Sequence, residues 1–327
     1  MSTLDLKNKF VRVFKCQLRH LCTRLLSRMD ARLFYTHPVF VNRLWYASRT
    51  GEHLHLNHPR DFNELLIKRN LQTYRDKEGR SIWIKCADKY AVREYVINKG
   101  LGHILNECYG VFDSPGDIPF LSLPNQFVLK LTNGCGQIYF CRDKSLLDTK
   151  SVQDLIDKWI RESSTFGLKT GEWHYSAIKP RIIAEKYLQS LGDFKSIIDY
   201  KFHCIRGKVV CILVCYDRDI ESHQGCFDIY DTNWNLTEGV LAQYHLHRRV
   251  IPRPLSFDQM VVIAETLSKG IDYVRVDLYE IDGKPVFGEM TFTPAGNIQL
   301  RYQPWVLKEM LRIYNGSTDS QIKTGQI

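Results

Sequence analysis

Apolar side chains recur at three- and four-residue steps through residues 5–29: Leu6, Phe10, Val13, Phe14, Leu18, Leu21, Leu25 and Met29, with basic residues mostly between them. That period predicts an amphipathic helix. Shorter helical stretches follow at 61–70, 87–99, 151–163 and 256–269, with Asp88 and Ser151 as N-caps, Gly100 as a stop and Asp154 in a first turn. Between them the period changes to two. Residues 127–132 (FVLKLT) alternate so that Lys130 faces away from Phe127, Leu129 and Leu131, and 137–141 form a return strand. The apolar run 181–188 reads as a buried strand. Residues 199–204 and 209–216 form a hairpin turned at Arg206-Gly207, and 273–280 and 285–290 a second one. Hairpins separated by helices indicate an α+β chain rather than one doubly wound sheet.

The last hairpin carries the most chemistry. Val274, Val276 and Leu278 share one face of its first strand, and Arg275, Asp277 and Tyr279 the other. A two-residue turn at Asp282-Gly283 would send Asp277 and Glu289 to opposite faces. A three-residue loop, Ile281-Asp282-Gly283, pairs Glu280 with Lys284. It sets Arg275 opposite Glu289 with Asp277 one diagonal away, and Val286, Gly288 and Met290 join the apolar face. Two carboxylates and an arginine on one face suit a divalent cation carrying phosphate. They equally suit a cross-strand Arg–Glu pair beside a solvated Asp.

Composition narrows the class. The chain has 327 residues, 44% hydrophobic and 25% charged, which excludes disorder as its main character. It has no apolar run of membrane-spanning length, and its first residues show neither an uncharged h-region nor a small-residue cleavage site, so secretion is not expected. Its ten cysteines, spread from Cys16 to Cys226 without a CxxC, read as reduced thiols in a cytoplasmic protein, not as a metal site. Charge is uneven. Residues 1–30 hold seven Lys/Arg against Asp5 and Asp30, a balance of +5, which leaves +4 of the total +9 for the other 297 residues. A nearly neutral body gives no basic stripe for nucleic acid. The basic helix fits the anionic inner face of the cytoplasmic membrane as a peripheral contact, or a helix docked on its own domain with solvated lysines.

Other signals are individually unspecific. Thr132-Asn133-Gly134-Cys135-Gly136 follows Lys130, and such small residues turn a hairpin or bring N–H groups against phosphate. Glu185-Lys186-Tyr187-Leu188 ends a strand where exposed backbone could meet an adenine edge. Lys201 shares a face with Asp199 and His203. Asp217-Arg218-Asp219 has the DxD form that metal-dependent glycosyltransferases use.

In this order, and in the phrases DFNELL, ADKYAVREYV, LPNQFVLKLTNGCG, PRIIAEKYL, DYKFHCIRGK and FGEMTFTPAGN, the chain resembles the ATP-grasp superfamily and, more closely, its TupA-like members found with bacterial surface-polysaccharide genes. The resemblance implies an ATP-grasp fold of two α+β subdomains enclosing ATP behind a helical N-terminal segment. Its parts would be 1–60, a basic helical segment; 61–120, a preceding region; 121–188, the lid subdomain; and 189–327, the subdomain with the metal site. It implies that Lys130 and Lys201 hold phosphates and that the loop of Thr132, Asn133, Gly134 and Gly136 closes over them. Glu185, Lys186, Tyr187 and Leu188 would frame adenine. Asp277 and Glu289 would bind Mg2+, and Arg275 would act at the transferring phosphoryl group or acyl intermediate. Thr291 stands where relatives commonly have Asn, which bears on a second metal position. The function implied is an ATP- and Mg-dependent carboxylate–amine ligase forming an amide through an acylphosphate. Its partners would be a uronic acid of a capsule or O-antigen-type glycan, free or lipid-linked, and a small amine, either an amino acid or an amino alcohol. A glycosyltransferase using Asp217 and Asp219, an ATP-grasp kinase and a non-enzymatic assembly scaffold are the competing readings.

Overall fold

A computed structural model gives the fold and describes residues 3–163, 165–169, 171–190, 192–219, 224–244, 249–316 and 322. Among the described residues ten strands form two antiparallel sheets: β1 (Cys108–Phe112), β2 (Phe127–Leu131), β3 (Ile138–Cys141), β4 (Ile182–Lys186), β5 (Asp199–Ile205), β6 (Lys208–Tyr216), β7 (Cys226–Tyr230), β8 (Leu236–Thr237), β9 (Tyr273–Ile281) and β10 (Lys284–Thr291). The smaller sheet runs β1-β4-β2-β3 and the larger β10-β9-β5-β6-β7-β8. The smaller sheet therefore recruits β1 from upstream of residue 121.

Each sheet buries its apolar positions as the period of two requires. Phe127, Leu129, Ile182 and Ala184 pack on Val152 and Ile156 of the Thr149–Ser163 helix. The larger sheet lies between two helical layers. On one face, Phe202, Val214, Val274, Val276 and Leu278 meet Phe257 and Ala264 of the Phe257–Ser268 helix, with Trp83, Val92 and Val96. On the other, Tyr273, Val210 and Leu213 meet Phe62 and Leu66 of the Phe62–Arg75 helix and Val306 and Met310 of the Pro304–Tyr314 helix. That second face changes character along β9, from the covered Tyr273 to the polar Arg275, Asp277 and Tyr279.

Two expected elements differ in ways that matter for the site. The stretch 87–99 is not one helix. One helix ends at Ala87 and another starts at Ala91, because Asp88 accepts the N–H groups of Tyr90 (2.8 Å) and Ala91 (3.1 Å). The intervening Lys89 N–H instead donates to Thr132 O at 3.1 Å. The cap of the 149–163 helix is Asp148, which takes the Ser151 N–H and hydroxyl at 3.1 and 2.6 Å, not Ser151 itself.

The final hairpin corrects the register. Lys284 pairs with Ile281, so the turn is the two-residue one, with Asp282 and Gly283 both left-handed (φ 50° and 71°) as a tight hairpin demands. The sides are nevertheless kept, because the register shifts between Phe287 and Glu289 and the extra residue is Gly288. Phe287, not Gly288 or Val286, joins Met290 in the core. Glu289 then stands opposite Asp277, and Thr291 opposite Arg275.

The Thr3–Arg28 helix lies along the Pro38–Thr50 helix. Lys15 pairs with Glu52 at 2.6 Å and Arg19 donates to Thr50 O at 3.0 Å. Among the described residues no helix is long and apolar enough to cross a membrane.

Candidate active site

Register alone assembles the floor of the site. Lys201 of β5 is the partner of Asp277 of β9, and Asp277 is the partner of Glu289 of β10. His203, Arg275 and Thr291 form the neighbouring rung. Side chains on one rung of antiparallel strands point the same way and meet. Lys201 Nζ lies 2.6 Å from Asp277 Oδ2 and also bonds Asp199. Arg275 grips Asp277 through Nε and Nη2, both at 2.7 Å, and reaches Glu289 Oε1 and Thr291 Oγ1, both at 3.1 Å. The Thr291 hydroxyl donates to Glu289 Oε1 at 3.1 Å.

These contacts set the charges. Burial disfavours ionised Asp277, but Arg275 and Lys201 outweigh it and hold the carboxyl below its ordinary range. Burial likewise opposes the Lys201 ammonium, yet Asp199 and Asp277 raise it. Burial raises the Asp199 carboxyl despite Lys201. Two cations, Lys201 and Arg275, stand among the three carboxyl groups Asp199, Asp277 and Glu289. Burial is divided: the Asp277 side chain is 1% exposed and that of Glu289 44%. Among the described residues no three His, Cys, Asp or Glu side chains converge on a metal by themselves. Two hard oxygen donors, one open to the cleft, fit magnesium, which keeps water and phosphate among its ligands.

The rung below is braced from beneath. The ring of buried His203 takes Tyr273 OH at Nδ1 (2.8 Å) and Tyr302 OH at Nε2 (2.6 Å). Burial first, then Arg275 and Lys201, push its pKa well below the usual histidine value, so the imidazole is neutral. A neutral ring needs one donor and one acceptor, which two hydroxyls supply.

The opposite wall comes from the smaller sheet and from the Ala91–Asn98 helix with the break before it, and it is cationic. Lys130 Nζ is 2.7 Å from Glu185 Oε2, and Arg93 Nη1 is 3.5 Å from Glu185 Oε1. With Lys89 these residues face Tyr279, Gly288 and Glu289 across a cavity of about 70 Å³. Lys89 is the group that periodicity did not single out. The break after Ala87 lifts it into the cleft, its ammonium donates to Gly134 O, and burial lowers its pKa. Its traces in the sequence were its place immediately after the cap Asp88 and its presence in the phrase ADKYAVREYV.

The loop of Thr132 to Gly136 lies against this wall. Thr132 anchors it: its N–H donates to Arg181 O at 2.8 Å and its hydroxyl to Lys179 O at 3.3 Å. Asn133 is buried. A Cβ at Gly134 would meet Gln137 Oε1 at 2.7 Å, and Gly136 is left-handed (φ 91°). Glu185 is the last of the strand-end group to face the cavity. The Lys186 N–H donates to Glu107 O at 2.9 Å, its carbonyl accepts from Asn106 at 2.9 Å, and Tyr187 packs edge-on to Phe140. Tyr187 and Leu188 open the passage from β4 toward the larger sheet.

Beyond β10 the chain is held in an unusual shape. Ala295, Gly296 and Asn297 are all left-handed (φ 53°, 62° and 67°), and Thr293 donates to buried Glu172 at 2.6 Å. Gly296 takes this backbone without strain, whereas Ala295 and Asn297 keep it only where neighbours fix them. Asp217, by contrast, is consumed internally. It accepts the Lys195 N–H at 2.9 Å and pairs with Arg249 at 3.3 Å, while the Asp219 N–H donates to Gln224 O at 2.8 Å.

A small antiparallel sheet bearing a lysine and glycine loop, facing a larger one that bears lysine, arginine and two carboxylates, is the arrangement of the ATP-grasp class. The chain belongs to the TupA-like ATP-grasp family, whose model matches residues 69–304. No curated protein matches it. Among solved structures it is similar to D-alanine–D-alanine ligase from Bacillus anthracis complexed with ATP, at 15% identity and a TM-score of 0.37 over 69% of this chain and 60% of that one. It is similar also to the Helicobacter pylori D-alanine–D-alanine ligase, at 15% identity and 0.41 over 77% and 68%. A third is the ATP-grasp ligase PsnB with minimal precursor, Mg and ADP, at 15% identity and 0.34 over 73% and 59%. The chain thus spans about 60% of the first ligase's length.

Proposed function

We propose that this protein is an ATP- and magnesium-dependent carboxylate–amine ligase that modifies a uronic acid of a bacterial surface glycan with an amino acid or amino alcohol. The observation that carries the ligase reading is the rung Lys201–Asp277–Glu289, gripped by Arg275 and faced by Lys89 and Lys130. The glycan and the amine rest on the family's company alone.

A carboxylate is a poor acyl donor because its oxygen does not leave. Phosphorylation by ATP makes it an acylphosphate and releases ADP; an amine then attacks the acyl carbon, expels phosphate, loses a proton and leaves an amide. No protein nucleophile is needed, so the work of the chain is positioning and charge. Lys89, Lys130 and Lys201 supply the positive charge for phosphate oxygens, and the 132–136 backbone covers them. Asp277 and Glu289 would hold magnesium, which when bound neutralises the charge of the phosphates. Arg275 fixes both carboxylates and extends a cation toward the same point. Thr291, by holding Glu289, sets its orientation as well as offering an oxygen. The cleft must widen for a nucleotide, since about 70 Å³ is far below the roughly 300–1,000 Å³ of ligand pockets. The Lys89–Gly134 and Lys130–Glu185 contacts are the ones to yield.

The test is ADP release with ATP, magnesium and a panel of uronic acids, with hydroxylamine as the trapping amine. Carboxylate-dependent ADP release with hydroxamate formation is expected. ADP release with phosphorylation of a sugar hydroxyl and no hydroxamate would give the protein to the kinases.

A further inference from the structure

Among the described side chains from residue 13 onward, docking on the Pro38–Thr50 helix uses one side of the Thr3–Arg28 helix. Cys22 is buried, Lys15, Leu18, Leu26 and Met29 are half-buried, and Leu26 and Met29 pack on Phe34, Val41 and Trp173. The approach is close, since a Cβ on Gly51 would lie 2.8 Å from Lys15 Cβ. The adjoining stripe is left outside. Phe14, Leu21 and Leu25 are 53%, 57% and 44% exposed. They stand at i, i+7 and i+11, with Leu18 between them, and so line up along the helix. Arg24 and Arg28, each three residues beyond Leu21 and Leu25, are exposed beside the stripe.

We infer that this stripe is a membrane-contact face, with Phe14, Leu21 and Leu25 entering the headgroup–acyl boundary of an anionic bilayer and Arg24 and Arg28 at its phosphates. Three large apolar side chains in a row need a partner that removes them from water. Charge selects which partner. Residues 1–30 carry +5, so two copies of this helix laid together would repel, whereas anionic lipid attracts basic residues at a bilayer surface. The nearby groove beside Phe14 does not provide the attraction, because its Lys15 and Arg60 already pair with Glu52 and Glu64. The inference is independent of the ligase reading, since none of these residues borders the cleft.

The experiment is flotation of the full-length protein with phosphatidylcholine vesicles, with and without phosphatidylglycerol, followed by light scattering for oligomeric state. Binding to the anionic vesicles that weakens with salt is expected. The Phe14→Ser/Leu21→Ser/Leu25→Ser variant should lose at least about tenfold in partitioning. Arg24→Gln and Arg28→Gln should each lose about fivefold, and all variants should keep the wild-type melting temperature. No binding to anionic vesicles, or equal binding by the triple serine variant, overturns the inference. A wild-type dimer that the triple variant splits, without vesicle binding, gives the face to a second copy.

Discussion

Asp277 and Glu289 stand on one rung but differ in how they can be tested. Asp277 is buried between Arg275 and Lys201, and removing its charge leaves two cations facing each other. Asp277→Asn is therefore expected to lose turnover and also about 3–5 kcal/mol of stability. Glu289 is half-exposed, so Glu289→Gln should abolish magnesium-dependent ADP release with a nearly wild-type melting temperature. Full ADP release by Glu289→Gln would remove it from the metal. Lys130→Ala should weaken nucleotide binding by about 1–3 kcal/mol, the size of a lost charge-assisted hydrogen bond, which calorimetry reads directly. At this scale the sequence was informative wherever a strand's alternation fixed the side: Lys130, Lys201, Arg275, Asp277 and Glu289 all face the cleft or its floor. Lys89 escaped because its position comes from a helix break and a bond to the Thr132 carbonyl, which no periodicity encodes.

Among the elements, the bulge at Gly288 determines whether the site exists. The two-residue turn by itself sends Glu289 to the wrong face, and one extra residue returns it. A Cβ at Gly288 would sit 2.9 Å from Asp277 O, closer than carbon tolerates, and 3.1 Å from Tyr279 Cε2, a tight contact. Gly288→Ala should cost about 1–3 kcal/mol and weaken magnesium-dependent nucleotide binding by displacing Glu289. A variant with wild-type melting temperature and affinity would show that the bulge relaxes freely. Alternation could demand that the two carboxylates share a face. It could not say whether a longer turn or a bulge achieves this, since both insert one residue. The split of 87–99 has the same origin: Asp88 was legible as a cap, but the helix preceding it was not.

For the whole molecule, two buried imidazoles link stability to pH. Burial pushes His174 down to about 3 and His203 well below its ordinary value. The unfolded chain takes up those protons below pH about 6.5 while the folded chain does not. Stability should fall as pH drops below that point, by up to about 1.4 kcal/mol per pH unit for each histidine, and His174→Gln should flatten the slope seen in thermal melts between pH 6.5 and 5. An unchanged slope would mean that His174 protonates in place. The two-subdomain architecture was implied by the resemblance to the ATP-grasp superfamily that the order of lysine, glycine loop, acidic strand end and final carboxylates carries; the alternation alone indicated only an α+β chain. The helical layer of Pro304–Tyr314 and the docking of the N-terminal helix on residues 38–52 were not legible, because they depend on which apolar faces meet rather than on any one segment. The central claim is that the cleft between the sheets takes adenine nucleotide with magnesium. Calorimetry with a non-hydrolysable ATP analogue and magnesium, repeated with UDP, tests it most directly. Saturable, magnesium-dependent binding of the ATP analogue and none of UDP is the predicted result; UDP binding without ATP binding would contradict it.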